Sequence, residues 1–179
     1  MNAITYKDVF PLLKDNKLWL GATISSGDRE FEVPDSYPLE AAGWRVDEKG
    51  RKFIRVKGVR WFSNLDHGRR HQPLSLMTHE ENLKFNKAVK DVGYQKYDNY
   101  DAIEVPRTDA IPEDYDGVMG VPITFLDKYN PDQFQILGMC ASAGYDERIV
   151  GIPFLGSKDA RPLINGKNTY ARVFLKQKK

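Results

Sequence analysis

Cysteine is nearly absent, since Cys140 is the single one in 179 residues. That excludes an internal disulfide framework and suits a reducing compartment, so a cytoplasmic location is expected. No apolar run approaches the roughly 20 residues that a membrane helix requires, and no basic-then-apolar leader opens the sequence. An excess of one charge is missing too, because 27 Lys and Arg stand against 25 Asp and Glu, for a net +2. Global charge therefore does not announce a polyanion binder. Internal repeats and low-complexity linkers are lacking as well. What is present, 41% hydrophobic and 29% charged residues, is ordinary for a globular chain. The length suits a single domain, 1–179, with a real core.

Charge is uneven along the chain. Between residues 49 and 71 lie Lys49, Arg51, Lys52, Arg55, Lys57, Arg60, Arg69 and Arg70, with Asp66 as the only acid. Residues 98–116 are acidic instead. One cationic surface is the reading that a phosphate backbone would select, and a solvated strand face is the other.

Local patterns predict short elements. Thr5-Tyr6-Lys7-Asp8 reads as a helix start, followed by Tyr6, Val9, Phe10 and Leu13 at helical spacing, and Pro11 makes that helix short or kinked. A strand over 17–23 follows, then mainly loop over 25–43. Trp44-Arg45-Val46, a turn at 47–50 and a strand over 51–62 form a hairpin, with Gly58 marking a bulge. After a loop over 63–73 and a short strand over 74–77, Thr78-x-x-Glu81 is a capping box for a helix ending before Gly93. Strands are expected at 102–105, 118–121 and 134–140. A helix beginning at Pro122 fills the gap between the last two. Asn165-Gly166 is a hairpin turn leading into a strand over 169–175. The sum is α+β: a mixed, largely antiparallel sheet with few short helices. Trp19, Trp44 and Trp61 are expected as core anchors, and Cys140 as a buried, inert thiol.

The block Tyr115–Gly138, YDGVMGVPITFLDKYNPDQFQILG, is dense in unusual residues. It resembles the signature near the C-terminal end of the EcoRI-type adenine-specific DNA methyltransferases. Tyr97-Asp98-Asn99-Tyr100-Asp101-Ala102-Ile103 and Trp61-Phe62-Ser63-Asn64-Leu65-Asp66-His67 are similar to the same family. So is the stretch from Asn2-Ala3-Ile4-Thr5-Tyr6-Lys7 to Trp19-Leu20-Gly21. The resemblance implies the back half of a Rossmann-like methyltransferase, with residues 1–21 following its central strands and the remainder supplying the last core strands and elements that approach DNA. It also implies a complete enzyme of restriction-modification type that uses S-adenosylmethionine to methylate adenine N6 in double-stranded DNA.

Such chemistry needs a strand with a glycine-rich turn for the cofactor. It also needs an Asn/Asp-Pro-Pro-Phe/Tyr segment to hold a flipped adenine. Neither is present. Asn130-Pro131-Asp132-Gln133-Phe134 lacks the second proline, Gly151-Ile152-Pro153-Phe154 lacks the polar residue, and Gly117-Val118-Met119-Gly120 follows no convincing buried strand. No catalytic or cofactor-binding residue is assigned, and the chain alone is expected to be inactive and to bind no cofactor. A non-enzymatic DNA-binding or regulatory module is the alternative.

The residues carried forward as DNA contacts are Arg55, Lys57, Arg60, Asn64, His67, Arg69, Arg70, His71, Lys96 and Asn99. Arg forks onto guanine and Asn onto adenine, so the types suit base edges and phosphates. His67 and His71 have metal-ligand spacing, but Gly68 and two arginines argue against a cation there. A metal-dependent hydrolase using Asp66, His67 and His71 is a third reading. Tyr94, Tyr97 and Tyr100 form either a core face or a base-stacking strip. If 17–23 and 54–62 are strands whose sheet neighbours are absent, an open edge invites a separate N-terminal half or self-association.

Overall fold

The computed structural model describes residues 6–22, 27–40, 43–140, 150–156 and 160–178. Its chain is mixed α+β, rich in short strands and poor in helix. Two compact units emerge: residues 1–18 with 64–179, and residues 19–63. Thr5, part of the expected helix start, lies outside the described residues.

The larger unit is built on a four-stranded sheet in the order β6-β7-β11-β8. β6 is Ile103–Glu104, β7 Met119–Pro122, β8 Phe134–Cys140 and β11 Arg172–Gln177. β6 and β7 run parallel, whereas β11 lies antiparallel between β7 and β8. A strand covered on both faces reads as a continuous apolar run rather than an alternating one. Accordingly Val173, Phe174 and Leu175 are all fully buried. The register of β11 against β8 slips between Phe174 and Leu175, so Leu137 is bulged out of the ladder. There Gly138 passes directly under the Val150 carbonyl, where any Cβ would overlap it. Tyr97, Tyr100, Cys140, Val150 and Phe174 pack as one cluster, with Tyr100 4.8 Å from Phe174 between ring centroids. Burial pushes the Cys140 thiol up to about 12.

Helices are brief. α1, Phe10–Lys14, has Pro11 in its first turn, where the missing N–H costs nothing. Asn16 ends it at φ 58, a left-handed conformation that Asn tolerates. α2, His79–Phe85, opens with both halves of the expected capping box in place. It stops well before Gly93, because turns occupy 87–92. The segment after Pro122 is a 3-10 helix, Ile123–Lys128, with Pro122 as its N-cap. Residues 74–76 are irregular rather than strand, and Met77 makes only a single bridge to Pro112. β9 (Leu163–Ile164) and β10 (Lys167–Asn168) form the expected hairpin, with Asn165 at φ 50 and Gly166 at φ 73. The strand expected at 169–175 is displaced to β11.

The smaller unit holds β1 (Trp19–Leu20) paired antiparallel with β5 (Phe62–Ser63). Beside them stands a three-stranded antiparallel sheet, β2-β4-β3. β2 is Arg29–Val33, β3 Trp44–Val46 and β4 Lys52–Val56. The hairpin turn is fastened by the Asp47 side chain, which accepts from the backbone N–H groups of Lys49 and Arg51. β2 corrects the expectation of loop over 25–43, since Arg-Glu-Phe-Glu-Val alternates as a strand requires. The strand expected over 51–62 is interrupted by a turn at Lys57-Gly58, with Gly58 at φ 63. The tryptophans also need correcting as core anchors: Trp44 is 50% exposed and Trp61 48%. No helix among the described residues is long and apolar enough to cross a membrane.

Candidate nucleic-acid interface

In the larger unit the segment 64–74 is held by side chains rather than by secondary structure. A short 3-10 helix, Gly68–His71, turns it so that Arg70 points inward and is 7% exposed. Arg70 donates to Asp66 at 2.9 Å and to the Asn16 side-chain oxygen. His71 bridges two carboxylates, with Nδ1 2.8 Å from Asp132 and Nε2 3.0 Å from Asp66. Both ring nitrogens then donate, which requires the imidazolium. The Asp132 and Asp66 carboxylates accordingly raise the His71 pKa above its ordinary value, and His71 in turn holds Asp66 below the usual carboxylate range. Gln133 completes the anchoring by pairing with both the N–H and the C=O of Leu74, at 2.8 and 2.9 Å.

Two clefts open beside this anchored segment. One, of about 260 Å³, is lined by Arg69, Gln72, Pro73, Leu74, Asp127 and Lys128. The other, of about 440 Å³, shares Asp127 and Lys128 and continues along Arg107, Thr108, Pro122 and Thr124. The second cleft lies just past the carboxyl ends of β6 and β7, the parallel pair. That is where open sheets with parallel strands place their ligands. Its walls offer two hydroxyls, from Thr108 and Thr124, and two cationic side chains, Arg107 and Lys128, set among the Asp109 and Asp127 carboxylates. Arg107 is paired with Asp109 at 2.8 Å and remains exposed. Sequence reading missed Arg107, Lys128 and Thr124, because they are distant in sequence and line one cleft only after folding.

Behind the cleft, Glu104 at the end of β6 accepts from Arg172 at 2.5 and 3.0 Å and from the Tyr97 hydroxyl. All three side chains are buried. Burial and the Glu104 charge both push the Tyr97 hydroxyl pKa far upward, so it stays a donor. Burial opposes the Arg172 charge, yet hydrogen bonding to Glu104 raises its pKa on balance.

The ten residues expected at DNA separate into groups. Asn64, Arg69 and His71 are exposed on the 64–74 segment, with His67 half-buried beside them. Arg70 and Asn99 face inward; Asn99 is 3% exposed and is hydrogen-bonded to Arg161 and Leu163 backbone at 2.8 and 2.9 Å. Arg70 Nη1 and Nη2 and Asn99 Nδ2 donate within the protein itself. Lys96 is exposed and bridges Ile103 at the outer side of β6. Arg55, Lys57 and Arg60 belong to the smaller unit. The cationic surface is partly neutralised there by acids from β2, the residue before it and the hairpin turn. Arg55 pairs with Asp28 at 2.8 Å, Arg45 with Glu30 at 2.8 Å, and Arg51 with Asp47 at 2.7 Å. Tyr97 and Tyr100 are core residues, as the first reading of the tyrosines has it. Among the described residues no group of three or more His, Cys, Asp or Glu is placed to hold a metal ion.

The glycines of the stretch 117–120 lie against the protein's own tyrosines. A Cβ at Gly117 would meet the Tyr115 ring at 2.5 Å, and one at Gly120 would overlap the Tyr97 hydroxyl. The protein's own tyrosines fill the space that these glycines leave.

With this geometry in view, the comparisons with known proteins define the class. The chain belongs to the adenine-specific methyltransferase EcoRI family, whose model matches residues 1–178. It is 41% identical, over its full length, to the Type II methyltransferase M.EcoRI of Escherichia coli, of which it covers 48%. It is 36% identical to M.MgeORF184P of Mycoplasma genitalium and 33% identical to M.MpnI of Mycoplasma pneumoniae, covering 98% of this chain and 54% of each relative. The chain thus spans about half the length of the curated relatives it matches. No solved structure matches it.

Proposed function

We propose that this chain is the DNA-facing part of an S-adenosylmethionine-dependent DNA adenine-N6 methyltransferase of restriction-modification type. The observation that carries the reading is the family match across 1–178 in a chain that covers only about half of each relative. The sequence carries no adenine-holding Asn/Asp-Pro-Pro-Phe/Tyr segment. On this reading cofactor binding and the methyl-transfer centre fall to the half without a counterpart in this chain. A relation to a Rossmann-like sheet is supported by the parallel β6–β7 pair with its cleft at the carboxyl ends.

On this reading Asn64, Arg69, Lys128 and Arg107 meet DNA phosphates or base edges along the paired clefts. Arg55, Lys57, Arg60 and Lys96 supply further cationic contacts. Arg70, His71 and the Asp66–Asp132 pair shape the surface. Duplex binding should be electrostatic, with each phosphate contact contributing roughly 0.9 to the slope of log K against log salt. Arg69→Ala, Lys128→Ala and Arg107→Ala should each lower the slope by about 1 and weaken binding across sequences alike. Fluorescence anisotropy with a duplex at several salt concentrations measures this, and calorimetry with S-adenosylmethionine should give no binding heat. Tight cofactor binding by this chain, or DNA binding indifferent to salt and to all three variants, would sink the proposal.

A further inference from the structure

The smaller unit has two very different faces. In the sheet β2-β4-β3 the register places Glu30, Glu32, Arg45, Phe53 and Arg55 on one side. That side is self-sufficient: Arg45 pairs with Glu30 at 2.8 Å and lies over the Phe53 ring at 4.3 Å. The opposite side carries Phe31, Val33, Trp44, Val46, Ile54 and Val56, with Trp44 and Phe31 both directly across from Ile54. Antiparallel sheets commonly bury such a side against a core and leave the charged side to water. Here Trp44 is 50%, Val46 46%, Val56 40% and Phe31 36% exposed. Tyr37, Pro38 and Leu39 border the same side, leaving a cleft of about 300 Å³ against Trp44, Ile54 and Val56. Within 19–63, Leu20 is the only large apolar side chain buried among the described residues. A unit of this size without disulfide or metal rarely holds together on its own surface alone.

We propose that the apolar side of the β2-β4-β3 sheet docks the half of the methyltransferase that has no counterpart in this chain. This rests on the functional reading above and names the partner of that assembly. Two observations select the occupant. The relatives carry roughly as much chain again beyond the matched part, since 48% of M.EcoRI and 54% of the Mycoplasma proteins are covered. The strand positions on the apolar side include Arg29 and Lys52 and no acid, so a second copy packed symmetrically would set cation against cation.

The test is a chimera in which these 179 residues replace the matching part of intact M.EcoRI, compared with the 179-residue chain alone. Hydrogen exchange in 29–33, 44–46 and 52–56 should slow at least ~10-fold in the chimera, the signature of coverage by a packed partner. Trp44→Asp and Phe31→Asp should each return exchange to the rate of the chain alone, while Glu32→Gln on the charged side should not. The same variants in the chain alone should leave exchange in 29–33, 44–46 and 52–56 unchanged, which certifies that the smaller unit stays folded, and the wild-type footprint stands without them. Four outcomes overturn the docking: an insoluble chimera, no slowing in these strands, slowing untouched by both variants, or a dimer of the chain alone that Trp44→Asp dissociates. Methyl transfer to DNA adenine is scored separately. Coverage without methylation leaves the docking standing and removes the enzyme reading; methylation without coverage does the reverse.

Discussion

Glu104→Ala should unfold the larger unit from its centre. In the intact protein the carboxylate takes Nη2 of Arg172 at 2.5 Å and Nε at 3.0 Å, with side-chain exposures of 10% for Arg172 and 11% for Glu104. Removing it leaves the guanidinium in the interior with the Ala171 carbonyl at 3.2 Å. The Tyr97 hydroxyl retains only the Gly120 carbonyl, at 3.4 Å. Stripping one partner from a buried ion pair costs about 3–5 kcal/mol. At roughly 2–4 °C per kcal/mol for a chain of this length, Tm should fall by about 6–20 °C. Glu104→Gln, which keeps an acceptor for Tyr97 or Arg172, should lose less. The triple change Glu104→Leu, Arg172→Met and Tyr97→Phe removes every polar group at once, and should recover to within about 1–2 kcal/mol of the parent. Thermal and urea unfolding followed by circular dichroism read all three. A Glu104→Ala protein within about 1 kcal/mol of the parent would refute the reasoning, as would a triple variant no more stable than the single one.

Gly138→Ala forces a methyl into the Val150 carbonyl, a backbone group with no flexible end to yield. It should cost about 3 kcal/mol, the upper end for overpacking, in the same unfolding assay. The His71 clamp should open with rising pH. The His71 pKa is raised in the fold above its ordinary 6.5, so its contribution is complete below 6.5 and is lost as pH climbs through the folded value. NMR titration of the ring with exchange at 66–72 follows this, and His71→Ala should abolish the pH dependence. Cys140, fully buried with its thiol pushed up to about 12, should resist a disulfide reagent in the native protein and react on unfolding. Stoichiometric labelling within minutes under native conditions would contradict that burial.

Features written in short, local chemistry were legible in the sequence. The Thr78–Glu81 box, the Asn165-Gly166 turn and β8 at Phe134–Cys140 stand where the residues place them, because caps, left-handed turns and apolar runs depend on near neighbours. β2 is hidden, since its flanking Gly, Pro and Ser read as loop while its glutamates alternate with Arg29, Phe31 and Val33. Trp44 and Trp61 were assigned to a core by residue type, whereas burial depends on what else the chain has to cover them. The cationic run likewise reads as unopposed, because only strand pairing sets Asp28 against Arg55 and Glu32 against Arg51. The clefts were illegible for a related reason. Arg69, Arg107 and Lys128 are distant in sequence, and only the fold sets Arg69 and Arg107 in adjoining clefts that share Lys128.

The position of β11 carries a consequence for folding. Residues 172–177 follow β7 and β8 in the chain, yet they fill the slot between them. Until β11 inserts, the facing edges of β7 and β8 stay open to any extended peptide. Insertion of this one strand is what joins the two sides of the sheet, so a change that weakens β11 leaves a split sheet rather than a trimmed one.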